Sequence, residues 1–178
     1  MKLRQLLLGA IVTISMAACT GLPNGIEPVE EFNVERYQGT WYEIARLDHA
    51  FERGMQNVTA TYSQNSDGSI KVVNRGYVTE ERVWKEAIGK AKFVANKEIA
   101  HLKVSFFGPF YGSYVVFELD EDYQYAFVTS YNRDYLWLLS RTPKVSEAVM
   151  NKFKATSDRY GFDTEALIYM EHEAIEQE

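Results

Sequence analysis

The feature that most constrains the fold of this sequence is a series of short stretches in which apolar and polar residues alternate. Alternation with a period of two is typical of β-strands that bury one face, and residues that favour turns border each stretch. Between the second and third stretches, Ser66-Asp67-Gly68-Ser69 is a strong hairpin signal. The eight stretches are 39–47, 57–63, 69–78, 82–93, 101–107, 112–119, 123–130 and 135–141. They predict an antiparallel sheet that is closed or folded on itself.

One helix is predicted after the eighth stretch. Ser146 is a candidate N-cap for a helix over 147–160, and Gly161 follows as its stop signal. Apolar residues recur on one face of this segment, namely Val149, Met150 and Phe153. A short ninth strand is predicted over 166–172. This order predicts an all-β fold, a closed eight-stranded antiparallel up-and-down β-barrel with one C-terminal α-helix packed outside, and an open β-sandwich is the alternative on pattern alone.

The first 18 residues are typical of a secretory signal peptide. Lys2 and Arg4 supply positive charge, a mostly apolar run covers 6–16, and two small residues precede Cys19, the only cysteine of the chain. The apolar run is shorter than the roughly 20 residues that span a bilayer. A small-residue pair before a cysteine resembles the bacterial lipobox, in which that cysteine is acylated with a diacylglyceryl group and becomes the mature N-terminus. The alternative is an unmodified thiol behind an ordinary cleavage site.

The residues after Cys19 predict where and how the protein is held. An Asp directly after the acylated cysteine would resemble a signal for retention at the inner membrane. This chain has Thr20 at that position, so the outer membrane is predicted, with the domain on its periplasmic face. Acyl chains on Cys19 would provide the membrane anchor. Glycine and proline are frequent over 20–31. We therefore divide the chain into a lipoprotein signal peptide (1–18), a lipidated flexible tether (19–31) and one domain (32–178).

The charge balance excludes two classes of partner. The formal net charge is −6, and removal of Lys2 and Arg4 with the signal peptide makes the mature protein still more acidic. An acidic protein lacks the basic face that nucleic acid requires, and it does not dock electrostatically on anionic lipid. The membrane partner is therefore expected to be held through the covalent anchor.

Two motifs resemble a known family. "NVERYQGTWYEIAR" (33–46) resembles the first lipocalin signature, and "NRDYLWLLSRTP" (132–143) resembles the second and third. Together with "FERG", "VTATYS" and "KVSFFGPFYG", they resemble the bacterial outer-membrane lipoprotein branch of the lipocalins and, next to it, the apolipoprotein D group. The likeness covers 32–170. It implies the eight-stranded barrel and the binding of fatty acids or lysophospholipids, in outer-membrane maintenance or stress.

Three residues of these motifs are predicted to close the barrel. Gly39 and Trp41 lie on the first strand and Arg141 ends the eighth, and these two strands are neighbours in a closed barrel. A guanidinium can stack on the indole face and donate to nearby carbonyls, with a cation–π contact of about 0.5–2 kcal/mol. We expect these residues to be scaffold without ligand contact.

Inward-facing positions follow from steps of two along the strands, counted from Trp41 and Arg141. On the eighth strand they are Tyr135, Trp137 and Leu139. The lipocalin-like alignment adds Val58, Ala60, Tyr62, Val72, Asn74, Leu102, Val104 and Phe106. These residues predict an apolar ligand pocket with a few polar groups. A solid core is the alternative, and the small Ala60 and polar Asn74 favour a cavity.

Glu43 is unusual because its parity with Trp41 places a carboxylate inside the barrel. A buried carboxylate is costly unless it is paired or protonated. Two interpretations remain open: a structural network with a Tyr or Arg, or a polar floor beneath an acyl tail.

The rim of the pocket is predicted at 47–55 and 107–112. Phe51, Phe110 and Tyr111 could meet an apolar ligand there, and Arg53 a phosphate or carboxylate head group. Exposed aromatic residues at this place could instead serve a homodimer contact.

No catalytic, cofactor or metal site is predicted. His49, His101 and His172 lie on different segments without metal-ligand spacing, and the serines lack a recognisable base and orienting acid. The prediction is a membrane-anchored carrier of small apolar lipids that is not an enzyme. The alternatives are a carrier of another apolar ligand, haem-like or toxic, and a module that binds a protein partner.

Overall fold

The computed structural model of the protein describes residues 20–172, so the predicted signal peptide, Cys19 and 173–178 lie outside the described residues. Eight strands form a closed sheet in the described part. They are β1 (Gly39–Arg46), β2 (Met55–Gln64), β3 (Ile70–Val78), β4 (Val83–Phe93), β5 (His101–Ser105), β6 (Gly112–Leu119), β7 (Tyr125–Thr129) and β8 (Leu136–Ser140). Each pairs antiparallel with the next, and β1 pairs with both β2 and β8. The predicted barrel is confirmed, and the open β-sandwich is excluded.

One end of the barrel is open and the other is closed. The short helix α1 (Val34–Tyr37) precedes β1 at the closed end. Four connections surround the opening, and we call them the mouth loops: 47–54, 79–82, 106–111 and 130–135. Because β6 pairs with β7 and β8 with β1, loop 130–135 lies between loops 106–111 and 47–54, and loop 79–82 lies across the mouth from it.

The predicted helix is confirmed as α2 (Glu147–Arg159). The Ser146 hydroxyl accepts a hydrogen bond from the Val149 amide, which satisfies one of the amides left free at the helix start. Gly161 ends the segment at φ +77°, a left-handed conformation that favours glycine. Phe153 of α2 is fully buried against Phe127, with ring centroids 5.0 Å apart. A second apolar core therefore lies outside the barrel, between its wall and α2.

The ninth strand is shorter than the predicted 166–172. It comprises only β9 (Ile168–Tyr169), which pairs with Ala45 and Arg46 of β1. A 3-10 turn (Thr164–Ala166) precedes it. The apolar residues on either side, Leu167 and Met170, are buried although they are outside the strand. The alternation in the sequence therefore reflects burial over a longer stretch than the two residues that pair with β1.

The segment 20–31 lies packed against the barrel, in contrast to the flexible tether predicted for it. Ile26 is 2% exposed and belongs to the core beneath α2. The Val29 amide donates to the Val116 carbonyl and the Val29 carbonyl accepts from Ala100, both at 2.9 Å. Apolar burial and paired backbone groups thus hold a segment whose glycines and prolines had indicated a linker. None of the helices described over 20–172 has the length and apolar content to cross a membrane.

Candidate functional site

The barrel encloses a cavity of about 690 Å³ that opens between the mouth loops. Small-molecule sites typically measure roughly 300–1,000 Å³. The residues predicted to face inward all line this cavity: Val58, Ala60, Tyr62, Val72, Asn74, Leu102, Val104, Phe106, Tyr135, Trp137 and Leu139, with Tyr111 from the rim. The interior is therefore not the solid core that the sequence left as an alternative.

Small residues keep the space open along one wall. Ala60 of β2 pairs with Asn74 of β3, which pairs with Ala87 of β4. Next to them the Phe106 ring lies against Gly89, where a Cβ atom would come within 2.8 Å of Phe106 Cε1. Glycine at this position lets the aromatic ring lie flat on the wall.

The closed end is a plug made by Trp41 and Arg141. Trp41 is fully buried, and the guanidinium carbon of Arg141 lies 3.9 Å from the centroid of its ring. Arg141 also donates to the carbonyls of Arg36 (2.7 Å), Thr40 (3.1 Å) and Tyr123 (3.3 Å). Neither Trp41 nor Arg141 lines the cavity.

Gly39 fits closely beneath this plug. Its φ is +93°, and a Cβ atom there would lie 3.3 Å from Arg141 Nη1. Gly39 and Trp41 of the first motif thus have a packing role at the closed end.

Three tyrosine hydroxyl groups form a polar floor just above the plug. The Tyr114 hydroxyl lies 2.7 Å from that of Tyr37 and 2.9 Å from that of Tyr62. Burial raises the pKa of all three phenols, so they remain neutral. Only Tyr62 was predicted. Tyr114 could have been found from its inward-facing position on the stretch 112–119. Tyr37 precedes the first strand, so strand parity gave no signal for it.

Glu43 has a buried partner that regular strand parity would place outside. Its Oε1 lies 2.7 Å from Nη1 of Arg46, and the two side chains are 3% and 1% exposed. Residues three apart on a regular strand face opposite sides. Here the pairing of β1 with β8 shifts between Glu43 and Ala45, and this bulge turns Arg46 inward. Arg46 also donates to the Glu52 carbonyl (2.7 Å), and its Nη1 lies 3.0 Å from Met170 Sδ.

Loop 47–54 adds a second carboxyl group to this wall. Glu52 Oε2 lies 3.0 Å from His49 Nε2 and accepts from the Trp137 indole at 3.2 Å. The four residues Glu43, His49, Glu52 and Trp137 all line the cavity. We call them, with Arg46, the acidic wall. The sequence had predicted Glu43 and Trp137 as inward-facing and His49 only as part of the rim 47–55, because loop residues have no strand parity to reveal an inward side chain.

The two carboxyl groups of the acidic wall differ in proton affinity. Burial and the neighbouring Glu52 carboxylate raise the pKa of Glu43 well above its usual range, and Arg46 only partly opposes this. Burial also acts to raise the pKa of Glu52, but hydrogen bonding and charge from His49, with the indole of Trp137, bring it below the ordinary value. Of the two, Glu43 therefore binds a proton more tightly, and a side-chain hydrogen bond between the two carboxyl groups contributes to the difference.

The mouth is rich in exposed aromatic side chains. Phe51, Phe107 and Phe110 are 70%, 76% and 68% exposed, and all three line the cavity entrance. The Phe51 ring stacks on Tyr135 with a centroid distance of 6.4 Å. Phe51 and Phe110 therefore occupy the rim as the sequence predicted.

Arg53 does not line the cavity. Its guanidinium lies 2.8 Å from the Asp48 carboxylate at the surface, because loop 47–54 turns its side chain away from the opening. Lys85 of β4 lines the entrance instead, with its ammonium group 2.7 Å from Glu81 of loop 79–82. Lys85 is thus better placed than Arg53 to meet an anionic group in the mouth. In the part of the chain from 20 to 172, no group of three or more His, Cys, Asp or Glu residues is arranged to hold a metal ion.

Comparison with known proteins matches nearly the whole domain. A family model described as a lipocalin-like domain matches residues 32–172. The outer membrane lipoprotein Blc of Vibrio cholerae is 54% identical over 164 residues, 92% of this chain and 96% of that protein. The protein of the same name from Escherichia coli K12 is 46% identical over 173 residues, 96% of this chain and 98% of that protein. Apolipoprotein D of Mus musculus is 32% identical over 149 residues, 79% and 77% of the two chains.

Solved structures with low sequence identity share the fold. Insecticyanin from the tobacco hornworm Manduca sexta aligns with a TM-score of 0.68 at 17% identity, covering 85% of this chain and 86% of that one. The cockroach allergen Per a 4 aligns with a TM-score of 0.66 at 17% identity, covering 85% and 95%. At this identity the likeness concerns the barrel architecture alone.

Proposed function

The chain belongs to the lipocalin family, and on that basis we propose that it is a lipid-anchored carrier of fatty acids or lysophospholipids in the bacterial envelope. The observation that carries this proposal is the open cavity of about 690 Å³ with apolar walls. Removal of acyl surface from water contributes roughly 25 cal/mol per Å². Transport or storage of lipid, for outer-membrane maintenance or stress, would follow from that binding.

The polar groups of the cavity suggest how such a ligand lies. The acidic wall and the three tyrosines offer carboxyl, imidazole, indole and phenol groups, and the one guanidinium in this wall, that of Arg46, is already bound to Glu43 and Glu52. A ligand carboxylate or phosphate deep in the barrel would therefore face Glu52 without a free cation. The acyl tail is expected to enter first, with the anionic head group held at the mouth beside Lys85.

The relatives supply the setting of the proposal. The 54% and 46% identical proteins carry the name outer membrane lipoprotein, and this chain has Cys19 after a signal-like segment. Acylation of Cys19 would anchor the domain at the outer membrane, and we propose its periplasmic face. Two or more acyl chains are needed for lasting attachment, which a diacylglyceryl group supplies.

The other interpretations of the sequence are weaker in light of the cavity. A protein-binding module would not need an open, apolar interior. A haem-like ligand would require an axial ligand such as histidine, and the histidine on the cavity wall, His49, has its Nε2 atom 3.0 Å from Glu52. No catalytic step is assigned to the site, so the carrier is proposed without an enzymatic activity.

Ligand titration followed by tryptophan fluorescence tests the proposal. A chain starting at Thr20 contains all the described structure, and Trp137 lies on the cavity wall. We expect saturable quenching by lysophospholipid and by free fatty acid at about one ligand per barrel, the saturation that a single enclosed site gives. Absence of any response from the folded protein would reject a lipid carrier. Quenching by haem alone would move the assignment to the other apolar ligand.

Lys85→Ala and Arg53→Ala form a matched pair for the head-group contact. Both remove one cation near the mouth, but only Lys85 lines the cavity. We expect lysophospholipid affinity to fall several-fold in Lys85→Ala and to stay unchanged in Arg53→Ala. The opposite pattern would restore the head-group role that the sequence suggested for Arg53.

A further inference from the structure

Four exposed aromatic residues at the mouth form a surface that the proposed lipid binding does not require. Phe51, Phe107, Phe110 and Tyr131 are between 37% and 76% exposed, and we call them the aromatic rim. They lie on loops 47–54, 106–111 and 130–135, which are consecutive around the opening. Tyr135 bridges two of these loops, with centroids 6.4 Å from Phe51 and 5.6 Å from Tyr131.

Charge is distributed unevenly around the same opening. Loop 106–111 (Phe-Phe-Gly-Pro-Phe-Tyr) contains no charged residue, whereas loop 79–82 carries Glu80, Glu81 and Arg82. Loop 79–82 lies across the mouth from loop 130–135. The mouth loop with the highest share of charged residues therefore lies opposite the middle of the aromatic rim.

The N-terminal segment contacts the barrel at loop 130–135, one of the three loops that carry the aromatic rim. Arg133, in loop 130–135, donates from Nη2 to the Asn24 carbonyl at 2.7 Å and from Nε to the Tyr160 carbonyl at 2.6 Å. The same guanidinium thus joins the mouth, the N-terminal segment and the end of α2. Asn24 is fixed at loop 130–135, between two loops of the aromatic rim.

Thr20 is fixed near the start of β6, below the next mouth loop. Its backbone hydrogen-bonds the ring of His101, whose Nε2 lies 3.0 Å from the hydroxyl of Ser113. Ser113 is the second residue of β6, immediately after loop 106–111. The Ser113 carbonyl also accepts from Ser130, the first residue of loop 130–135.

These contacts determine where an anchor on Cys19 would be attached. Adjacent Cα atoms are about 3.8 Å apart across a peptide bond, so Cys19 cannot lie far from Thr20. Acyl chains on Cys19 would therefore enter the bilayer close to loops 106–111 and 130–135. An anchor attached there would hold this side of the mouth near the membrane.

We infer that the aromatic rim docks on the phospholipid bilayer that holds the anchor, with the cavity opening towards the lipid. Aromatic side chains are enriched at membrane interfaces because an apolar ring can rest among the head groups. The charged loop 79–82 then lies on the side of the mouth away from the anchor, where its charges stay in water and Glu80 and Glu81 are kept away from lipid phosphates. A lipid could pass between leaflet and cavity without crossing water. This inference rests on the proposed acylation of Cys19.

Nitroxide labelling of the lipidated, full-length mature protein tests the docking. Cys19 is the only cysteine of the chain, so once it is acylated a thiol-specific nitroxide reacts only at an introduced cysteine. The rim variants are Phe107→Cys and Phe110→Cys. The controls are Ile88→Cys, on β4 and 56% exposed, and Ser66→Cys, in the turn at the closed end. Each is reconstituted in vesicles of phosphatidylethanolamine and phosphatidylglycerol, and accessibility to oxygen and to a water-soluble nickel complex is measured.

The expected result is a several-fold higher ratio of oxygen to nickel accessibility at positions 107 and 110 than at 66 and 88. Rim labels as exposed to nickel as the controls, on vesicle-bound protein, would overturn the docking while leaving the anchor intact. Spin–spin broadening at the rim that disappears on dilution with unlabelled protein would show a contact between two copies, and would also overturn it. Labelling of the wild-type protein itself would show a free Cys19 and so contradict the proposed acylation.

Discussion

Two arginine residues, at the closed end and in the cavity wall, show how differently one side chain is used within the same barrel. Arg141 stacks on Trp41 and donates to three backbone carbonyls, all of them neutral partners. Arg46 is 1% exposed and contacts the carboxyl group of Glu43, the carbonyl of Glu52 and the sulfur of Met170. The first guanidinium closes the barrel, and the second donates to an acidic group that borders the cavity.

The difference separates scaffold from site in physical terms. Arg141 remains partly in contact with solvent, so its desolvation cost is modest and its stacking and hydrogen bonds stabilise the closed end. Arg46 and the two carboxyl groups near it are removed from water, and the attraction within such buried groups often does little more than offset their desolvation. An apolar wall would stabilise the fold equally well. We therefore infer that the acidic wall serves the cavity and not the stability of the fold.

The largest effect is expected at Arg46. Arg46→Met keeps much of the apolar volume but leaves Glu43 and the Glu52 carbonyl without their donor. A buried acceptor left without its donor typically costs about 1–3 kcal/mol, and this variant leaves two such acceptors. We expect a loss of this size in the free energy of unfolding, measured by urea denaturation at neutral pH.

The double variant Arg46→Met, Glu43→Gln provides the control for that mechanism. It removes the ionisable carboxyl along with its partner, so it should recover part of the loss seen in Arg46→Met. Effects that simply add would show that the two side chains do not stabilise each other. The cost would then come from the lost donor to the Glu52 carbonyl and the lost contact with Met170.

The closed end could be predicted from the sequence, and the acidic wall could not. Trp41 lies on β1 before its bulge and Arg141 directly follows β8, so a period of two and closure of the barrel are enough to bring them together. Arg46 is inward only because of the bulge after Glu43. A bulge depends on the pairing with β8, so the sequence of β1 alone contains no signal for it.

The mouth shows the same limit. The three residues counted by strand parity and the eight taken from the lipocalin-like alignment all line the cavity. His49, Glu52 and Arg53, however, lie on a loop whose side-chain directions follow from tertiary contacts. Arg53 turned out to bind Asp48 at the surface. The segment 20–31 was read as a linker from its glycines and prolines, yet the burial of Ile26 and the pairing of Val29 are tertiary effects that composition does not encode.

A smaller effect is expected at the closed end. Arg141→Lys replaces a planar fork by a point charge, so stacking on Trp41 weakens and at least one backbone carbonyl loses its donor. We expect a loss of about 1–2 kcal/mol, which for a domain of this size lowers the melting temperature by about 2–4 °C per kcal/mol. Differential scanning calorimetry measures this shift.

Arg75→Lys is the matched control for that variant. The Arg75 guanidinium lies 4.0 Å from the Trp84 ring centroid, nearly the same distance as in the plug, but the Arg75 side chain is exposed. Its replacement should change stability by less than about 0.5 kcal/mol. Equal shifts in the two variants would mean that Arg141 contributes stacking alone and does not close the barrel through the carbonyls.

The smallest effect is expected at Glu43 and depends on pH. Glu43→Gln preserves shape and a hydrogen-bond donor towards Glu52, so below about pH 4.3, the ordinary glutamate pKa, stability should change by no more than about 1 kcal/mol. The raised pKa means that folded wild-type protein binds this proton more tightly than the unfolded chain does. Its contribution is complete below the unfolded-state pKa and is lost as the pH rises towards the folded-state value.

The stability of Glu43→Gln relative to wild type should therefore increase as the pH rises above about 4.3, as measured by urea denaturation at a series of pH values. Glu52 has a lowered pKa and acts in the opposite direction, with stability lost as the pH falls, but it is present in both proteins and largely cancels in the difference. A difference that stays constant with pH would show that Glu43 ionises in the folded barrel as it does in water, and the acidic wall would then be two carboxylates around Arg46. Lysophospholipid affinity in the same variant completes the test, because an unchanged affinity would remove the Glu43 charge from ligand binding and leave the wall a purely structural role.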